Sequence, residues 1–469
     1  MQRVSSAETT AKSRSVQQRK HQTRLMSNSR SIKAIAAALE GGSQSAVEIV
    51  GNCIAAAERT NPTLRSFITV AADHALVQAR KADARRRAGR AQGPLDGIPY
   101  AAKDMFETRG IRTTGGSKVL ENNVPSRSAA AICMLDAAGA VLIGKTNLHE
   151  FAHGATGENR WAGTVVNPHD ETRLAGGSSS GSAAAVAAGI VPFALGTDTG
   201  GSCRVPAALC GIAGYKPSYG LISLDGVIPY CWSLDHAGVL ATSVEDLELV
   251  VRQIAKLSPA TISAGSLRVA LVEGLEQKCD APVRDAFLVA KEHMRRSGAT
   301  FGVIEVPDQS EARAVSLIIQ LAEAAAYHAC NRASAGDRFG ADIRGAMVQG
   351  QSLSAEKYIH CVRLLETYRQ AFAQNMQTFD ILLTPACPIA APKLGTVEVN
   401  IAGQTFPIGN ALTLFTSFFN MVGAPALVLP VGSPSRGLPV AVQIVGAPGS
   451  DAHLFETARL MENLLTTAR

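Results

Sequence analysis

The sequence of 469 residues has few aromatic residues and no cysteine pair of the C-x-x-C type. Aromatic residues make up 5% of it, whereas hydrophobic residues as a whole make up 46%. This composition favours helices packed closely on a sheet over an aromatic-rich binding module. The nine cysteines are scattered along the chain, while a disulfide framework or a zinc cluster needs regular spacing. We therefore expect a reduced, cytoplasmic protein.

Long apolar runs are also missing from the sequence. A transmembrane helix needs roughly 18 or more consecutive apolar residues. A secretory signal needs an apolar core of roughly 7–15 residues near the N-terminus. Neither pattern is present, so we expect no membrane partner.

The body of the chain has no excess charge of either sign. The formal net charge is +6, but residues 1–30 contain seven of the 45 basic residues and one of the 39 acidic residues, which leaves 38 of each in residues 31–469. A protein that binds nucleic acid through a basic surface would show an excess there. We therefore expect no nucleic acid partner.

Residues 1–28 are predicted to be a disordered basic leader, followed by one domain over residues 29–469. The leader is polar, rich in Ser, Arg and Gln, and almost without apolar periodicity. Its composition resembles a transit peptide, but amphipathic patterning is absent. We favour the interpretation that the given sequence begins upstream of the natural start, with Met26 as the natural first residue.

Short apolar runs alternate with helical patterns through the rest of the chain. The predicted strands are 141–146, 190–198, 267–272 and 380–385; the predicted helices are 31–40, 45–58, 72–90, 182–189, 244–257, 283–298 and the C-terminal 452–465. Ser45 and Glu48 have capping-box spacing at the start of the second helix. This alternation predicts an α/β fold, a single large domain whose central mixed β-sheet is covered by helices on both faces.

A lysine stands directly after an apolar strand in the segment Gly97 to Asp104. Such a lysine is expected to point into the interior or a cleft, and burial lowers the pKa of lysine toward neutrality. Lys103 is therefore a candidate general base. A single lysine is more often a surface charge, so the assignment depends on two further segments.

The Gly/Ser-rich segment Gly176 to Ser182 runs directly into an Ala-rich helix. A flexible linker seldom does so, and a phosphate-binding loop would need a lysine after Gly181. Adjacent serines in a strained turn at a helix start suit proton relay or anion stabilisation. Ser178 and Ser179 are the candidates.

The third segment, Gly196 to Arg204, ends a buried strand. A serine hydroxyl needs a base to become a nucleophile, and acyl transfer needs donors for the oxyanion. The run from Thr199 to Ser202 offers consecutive N–H groups, and its two glycines allow them to converge. By itself this run also describes a plain tight turn. No Ser-His-Asp set of comparable quality is present, and a Ser–Lys arrangement is a chemical alternative.

Together these segments resemble the amidase signature family, over roughly residues 31–465. The Gly/Ser-rich run and the G-T-D-x-G-G-S run are spaced as in that family, with 24 positions from Ser178 to Ser202. Further matches are Glu150-Phe151-Ala152, Asn167-Pro168, Tyr215-Lys216-Pro217, Trp232-Ser233-Leu234-Asp235 and Gly423-Ala424-Pro425-Ala426. The resemblance implies an enzyme that hydrolyses a carbon–nitrogen amide bond to a carboxylate plus ammonia or an amine, without a cofactor.

The resemblance also implies roles for individual residues. Ser202 would be the acyl-forming nucleophile, Ser178 a bridging serine after a cis peptide bond from Gly177, and Lys103 the base that acts through Ser178. The N–H groups of the run Thr199, Gly200, Gly201 and Ser202 would form the oxyanion hole. Arg204 either pairs with Asp198 or orients a substrate carboxylate; pairing is favoured because arginines next to buried acids are usually paired.

The sequence His149-Glu150-Phe151-Ala152-His153 matches the zinc motif H-E-x-x-H. Gly154 follows the second histidine and is expected to end a helix there, and no third histidine follows at the spacing of that motif. A zinc peptidase built on His149 and His153 is therefore a remote alternative, and we expect no metal site.

The sequence leaves two questions open: whether the enzyme works alone or as a subunit of a complex, and which amide it cleaves. Trp232-Ser233-Leu234-Asp235 favours a free-standing amidase that acts on a small-molecule amide. For such an enzyme the family suggests a homodimer. The alternative is the catalytic (glutaminase) subunit of a tRNA-dependent amidotransferase, which shares the signature. Aromatic surface near the expected pocket favours a hydrophobic amide over a strongly charged one. The candidate substrate contacts are Gly154, Ser179, Arg204, Tyr230 and Trp232.

Overall fold

Helices and strands alternate along the part of the chain that the computed structural model describes, residues 31–257, 267–432 and 437–467. The leader predicted over residues 1–28 lies outside the described residues. From the N-terminal end the elements are α1 Ile32–Glu40, α2 Ala46–Leu64, β1 Phe67–Val70, α3 Ala72–Arg87, β2 Pro99–Lys103, α4 Ala130–Ala137, β3 Val141–Thr146, β4 Val166–Asn167, β5 Asp170–Leu174, α5 Ser180–Ala187, β6 Phe193–Asp198, α6 Arg204–Cys210, β7 Ala213–Lys216 and β8 His236–Ala241.

The second half of the chain adds more helix than strand. Its elements are α7 Val244–Ile254, β9 Arg268–Leu271, α8 Ala281–Arg296, β10 Thr300–Val303, α9 Gln309–Tyr327, α10 Ala329–Ala335, α11 Ala341–Gln351, α12 Ala355–Asn375, β11 Ile381–Pro385, β12 Glu398–Ile401, β13 Gln404–Pro407, α13 Ile408–Leu412, α14 Ser417–Met421, β14 Ala426–Pro430, β15 Ala441–Val445 and α15 Asp451–Thr467. The predicted strands and helices are confirmed in type, with ends that shift by a few residues.

One large mixed sheet of eleven strands organises the molecule, in the order β1-β3-β2-β6-β8-β7-β14-β15-β11-β9-β10. The strands β3, β2 and β6 are parallel to one another. Strand β8 is antiparallel to its two neighbours, β6 and β7. Strands β2, β3 and β6 are buried along their whole length. Near-continuous apolar runs of this kind are typical of strands covered on both faces. The predicted α/β class and the mixed central sheet are therefore confirmed.

The start of α2 follows the predicted capping box. The Ser45 hydroxyl accepts the N–H of Glu48, and the Glu48 carboxylate accepts the N–H of Ser45 at 2.8 Å. The helix continues to Leu64, six residues beyond the predicted end. The side chain of Asn61 explains the exit, because it bonds both the N–H and the carbonyl of Phe67, at 2.8 and 3.0 Å.

The parallel pairing of β2 with β6 positions the functional segments. Tyr100 lies opposite Phe193, and Ala102 lies opposite Leu195. Because parallel strands end at the same edge of a sheet, the last residues of β2 and β6 lie side by side there. Helix α5 packs across this edge, and the N–H of its Gly181 donates to the carbonyl of Asn147 at 2.9 Å. Residues 178 and 179 are thereby held over the strand ends.

Candidate active site

Lys103 is the last residue of β2, and its side chain is fully buried. Its Nζ donates to the hydroxyl oxygens of Ser178, at 2.7 Å, and Thr197, at 2.6 Å. The burial and the serine contact agree with the sequence prediction. Thr197 was not predicted, because which side chain of β6 faces Lys103 depends on the register between the two strands.

The pKa of the Lys103 ammonium is lowered to about 8, because burial penalises the charged form. Nearby Cys203, Asp235 and Asp198 oppose this effect. Near neutral pH an appreciable fraction of the amine is therefore uncharged. An uncharged amine beside a hydroxyl can accept that hydroxyl's proton.

Ser178 follows the peptide bond from Gly177, which is cis, as the resemblance implied. The next residue joins this turn to the loop of Ser202, since the N–H of Ser179 donates to the Ser202 carbonyl at 3.1 Å. The Ser179 hydroxyl donates to the carbonyl of Thr197 at 3.0 Å. Ser179 is fully buried and its hydroxyl holds the end of β6; substrate contact by Ser179 stays a prediction.

The loop that carries Ser202 wraps around the carboxylate of Asp198. This carboxylate accepts the N–H groups of Gly201, at 2.8 Å, and Cys203, at 3.0 Å. The oxyanion role expected for Gly201 is therefore wrong, because its N–H is directed at Asp198. Gly201 has a φ of 132° and a Cβ there would overlap Thr416 Oγ1, at 2.2 Å, so glycine is required by the backbone and by space.

The N–H groups of Thr199, Gly200 and Ser202 have no partner among the described residues. They follow one another around the turn at the end of β6, where Ser202 itself is only 7% exposed. Unpaired N–H groups beside a hydroxyl are what a negatively charged oxygen requires. This part of the predicted oxyanion hole agrees with the geometry.

Arg204 is fully buried, and every part of its guanidinium is paired inside the protein. Nε and Nη2 donate to Asp198 at 3.0 and 2.9 Å, and the remaining bonds go to side-chain and carbonyl oxygens of Thr416, Asn420 and Gln443. The substrate contact expected for Arg204 is therefore wrong, and pairing with Asp198, the other expectation, is confirmed. This pair holds the pKa of Asp198 far below its usual range, against the effect of burial.

Two further segments hold the Ser202 loop, and neither was predicted to do so. The hydroxyls of Thr416 and Ser417 donate to the Gly200 carbonyl, at 2.6 and 3.3 Å. The Thr199 hydroxyl donates to Asp235, whose carboxylate also accepts backbone N–H groups from residues 230 and 231. The Asp235 of the family match was the only sequence signal for this contact.

The other expected substrate contacts occupy different environments. Tyr230 is buried; its hydroxyl donates to Gln320 at 3.2 Å, and its ring meets the edge of His153 at 5.2 Å between centroids. Trp232 is 45% exposed. Gly154 lies against the ring of His149, 2.3 Å from where a Cβ would be. Substrate contact by Tyr230, Trp232 and Gly154 stays a prediction.

The H-E-x-x-H segment does not form the α-helix that a zinc site of this type needs. Glu150 to Ala152 make a 3₁₀ turn in which Phe151 and Ala152 have positive φ. His149 Nε2 lies 3.0 Å from Asp342, and the pKa of His153 is lowered to about 4, chiefly by burial. Among the described residues no three His, Cys, Asp or Glu side chains are placed to share a metal ion.

Known proteins share both the sequence pattern and the fold of this chain. The family model Amidase matches residues 48–455. One subunit of the glutamyl-tRNA(Gln) amidotransferase of Chloroflexus aurantiacus is 38% identical, over 92% of this chain and 96% of that relative. A solved amidase superposes with a TM-score of 0.88 at 33% identity, over 93% of this chain and 100% of that one. A chain from a solved vestigial protein complex, linked to the evolutionary origins of an s-triazine catabolic enzyme, gives a TM-score of 0.86 at 32% identity, over 93% and 98%.

The geometry of the site and the comparisons agree. A lysine of lowered pKa, two serines and three backbone N–H groups that lack a partner among the described residues lie at one sheet edge, and the family model covers all of them. In the described part of the chain no helix combines the length and apolar character of a membrane span. The chain belongs to the amidase family of amidase-signature enzymes and acts on the carbon–nitrogen bond of amides.

Proposed function

We propose that the chain hydrolyses its amide through an acyl-enzyme on Ser202, with Lys103 as the base and Ser178 as the relay. The observation that carries this proposal is the 2.7 Å contact between a fully buried lysine and Ser178. Burial makes the amine available in its uncharged form near neutral pH. The N–H of Ser179 donates to the carbonyl of Ser202 at 3.1 Å, which ties the turn of Ser178 to the loop of the proposed nucleophile.

The reaction follows from these positions. Uncharged Lys103 takes the proton of Ser178, Ser178 takes that of Ser202, and Ser202 Oγ attacks the amide carbonyl. The N–H groups of Thr199, Gly200 and Ser202 stabilise the oxyanion. The relay then returns the proton to the leaving nitrogen, which departs as ammonia or an amine. Water attacks the acyl-enzyme by the same relay, and the carboxylate product leaves with Ser202 restored.

The setting that the relatives favour is that of an amidotransferase complex. The relatives from Chloroflexus aurantiacus and Coxiella burnetii, at 38% and 36% identity, are the same subunit of glutamyl-tRNA(Gln) amidotransferase, and 96% and 92% of their lengths match. We therefore propose glutamine as the first candidate substrate, with the released ammonia passed to a partner subunit. The name of these relatives includes a tRNA. In an amidotransferase complex the expectation of no nucleic acid partner is therefore not supported.

A free-standing amidase is the second candidate, and solved amidases of similar fold support it. The Trp232 to Asp235 segment, which favoured it at first, has a structural part in either setting, because Asp235 ties the segment to Thr199. A cytoplasmic location and a homodimer also stay proposals.

Ammonia release from glutamine tests the two settings directly. The purified chain is assayed with glutamine and with a panel of aliphatic, aryl, carbamoyl and peptide amides, with Ser202→Ala as the control. Glutaminase activity together with co-purification of a second subunit supports the amidotransferase setting. Turnover of another amide by the chain alone, with none of glutamine, supports the free-standing enzyme. Full activity in Ser202→Ala would refute both.

A further inference from the structure

Three polar side chains without a part in the relay lie together beside the Ser202 loop. Arg313 of α9 donates from Nε to the hydroxyl of Thr413 at 3.1 Å. Arg313 is also close enough to Tyr230 and His153 to influence the pKa of both. The His153 and Tyr230 rings meet edge to face.

This cluster is connected to the nucleophile loop by short contacts. The Thr413 carbonyl accepts the hydroxyl of Ser417 at 2.9 Å, and that hydroxyl also lies 3.3 Å from the Gly200 carbonyl. On the other side, Tyr230 donates to Gln320, whose amide nitrogen would lie 3.7 Å from a Cβ on Gly200. Tyr230 therefore contacts a residue that adjoins the loop of Ser202, and Arg313 is connected to that loop through Thr413 and Ser417.

The guanidinium of Arg313 lacks a counter-charge. Among the described residues its buried Nη1 has no hydrogen-bond partner, and the one contact found for its Nη2 is with Asn410 at 3.5 Å. In the described ranges no carboxylate lies within ion-pair distance of it. An unused donor on a buried guanidinium nitrogen is costly unless an anion completes it. By contrast, all the donors of the fully buried Arg204 are directed at protein oxygens.

The three side chains of the cluster supply no negative charge, and the nearby Asp235 carboxylate is directed at the Thr199 hydroxyl and at the N–H groups of residues 230 and 231. Burial lowers the pKa of His153 to about 4, so its imidazole is neutral at pH 7. Burial raises the pKa of the Tyr230 hydroxyl, which stays protonated. Asp342, the acid that acts on His153, is bonded to His149. An arginine stays protonated even where burial lowers its pKa, so the cluster has a net positive charge.

We propose that Arg313 binds a carboxylate of the substrate, so that the amide cleaved at Ser202 belongs to an acid amide. The inference rests on the proposed function, because Ser202 fixes where the amide carbonyl lies. It departs from the hydrophobic amide that the aromatic residues favoured. Glutamine and the monoamides of dicarboxylic acids share the required chemistry, and a planar guanidinium suits carboxylate recognition.

Paired substrates test this proposal. Succinamate, glutaramate and adipamate are compared with butyramide, pentanamide and hexanamide, in which a methyl group replaces the carboxylate. We expect the best acid to exceed its neutral partner in kcat/KM on the order of 10- to 100-fold, the worth of a charge-assisted hydrogen bond. Arg313→Gln should remove that preference mainly through KM of the acid, so that the acid falls to the level of its neutral partner.

The control is Arg295→Gln, which removes an exposed arginine on α8 and should preserve the preference. Equal losses on acid and neutral amides in Arg313→Gln, or a wild-type preference for the neutral amides, would overturn the proposal.

A binding measurement separates this proposal from the catalytic one. In Ser202→Ala, glutaramate should raise the melting temperature and pentanamide should not; the additional change Arg313→Gln should abolish the shift. If the acid binds through Arg313 but no amide is cleaved, the proposed function fails and the carboxylate site stands. If both amides are cleaved alike and binding ignores Arg313, the carboxylate site fails and the function stands.

Discussion

At the scale of single residues, the proposed relay depends on a lysine that gives up its charge. The apolar flank of Lys103 predicted its burial correctly, because a strand covered on both faces has no solvent for its last residue. Its second partner, Thr197, could not be predicted from sequence. Strand periodicity says which residues share a face, but the register between β2 and β6 is set by tertiary packing.

The activity should follow the titration of Lys103. Its pKa of about 8 lies below that of a free lysine, because burial penalises the charge. The base acts only without its proton, so kcat/KM should rise about tenfold per pH unit below pH 8 and level off above it. A pH–rate profile with a stable, uncharged amide measures this. A profile that is flat from pH 6 to 9 would contradict the assignment.

Replacing Thr197 should shift that profile in a defined direction. The Thr197 hydroxyl accepts a hydrogen bond from Lys103 and so favours the ammonium form. Thr197→Val removes this acceptor, so the midpoint of the profile should move to lower pH. Thr197→Ser keeps the acceptor and is the matched control, with an unchanged midpoint. A shift of the valine variant to higher pH would refute this role.

At the scale of elements, the Ser202 loop is held by residues that lie far apart in the sequence. The Asp198–Arg204 pair was readable because the two residues are close in the chain. Asn420 and Gln443, more than 200 residues away, complete the network through α14 and β15. Local patterns contain no information on such contacts, so the sequence left the role of Arg204 open between pairing and substrate.

Loss of Arg204 should destabilise the fold. Arg204→Met leaves the Asp198 carboxylate buried without its partner, and breaking a buried pair in this way costs about 3–5 kcal/mol of unfolding free energy. Urea denaturation measures the change. The exposed arginine of the Arg268–Asp380 pair provides the control, since Arg268→Met should alter stability little. A variant of unchanged stability with only a raised KM would indicate that Arg204 binds substrate after all.

Removal of metal should leave the enzyme unaffected. The histidines of the H-E-x-x-H segment lie on a 3₁₀ turn, and His149 is engaged by Asp342. Hydrolysis should therefore proceed at the same rate after dialysis against a chelator. Activity that is lost on chelation and restored by zinc would favour the peptidase alternative.

At the scale of the whole molecule, the sequence predicted the class of the fold but not its strand order. Strand and helix patterns are local, whereas β7 pairs with β14 across more than 200 residues. Strands β8 and β7 lie between β6 and β14 in the sheet. This position likewise depends on the packing of the complete chain. The candidate catalytic segments could nevertheless be identified from sequence, because Lys103 ends a strand and Ser178 and Ser202 lie in Gly-rich loops beside element ends, where the sequence is distinctive.

The most direct test of the relay is to locate the acyl group. A slowly deacylating ester or anilide is mixed with the enzyme, quenched in acid during turnover, and mapped by peptide mass spectrometry. We expect the acyl mass on Ser202 in the wild type and its loss in Ser202→Ala. We also expect acylation slowed by about a thousandfold or more in Lys103→Met. An acyl group on Ser178, or equal acylation without Lys103, would contradict the proposed relay.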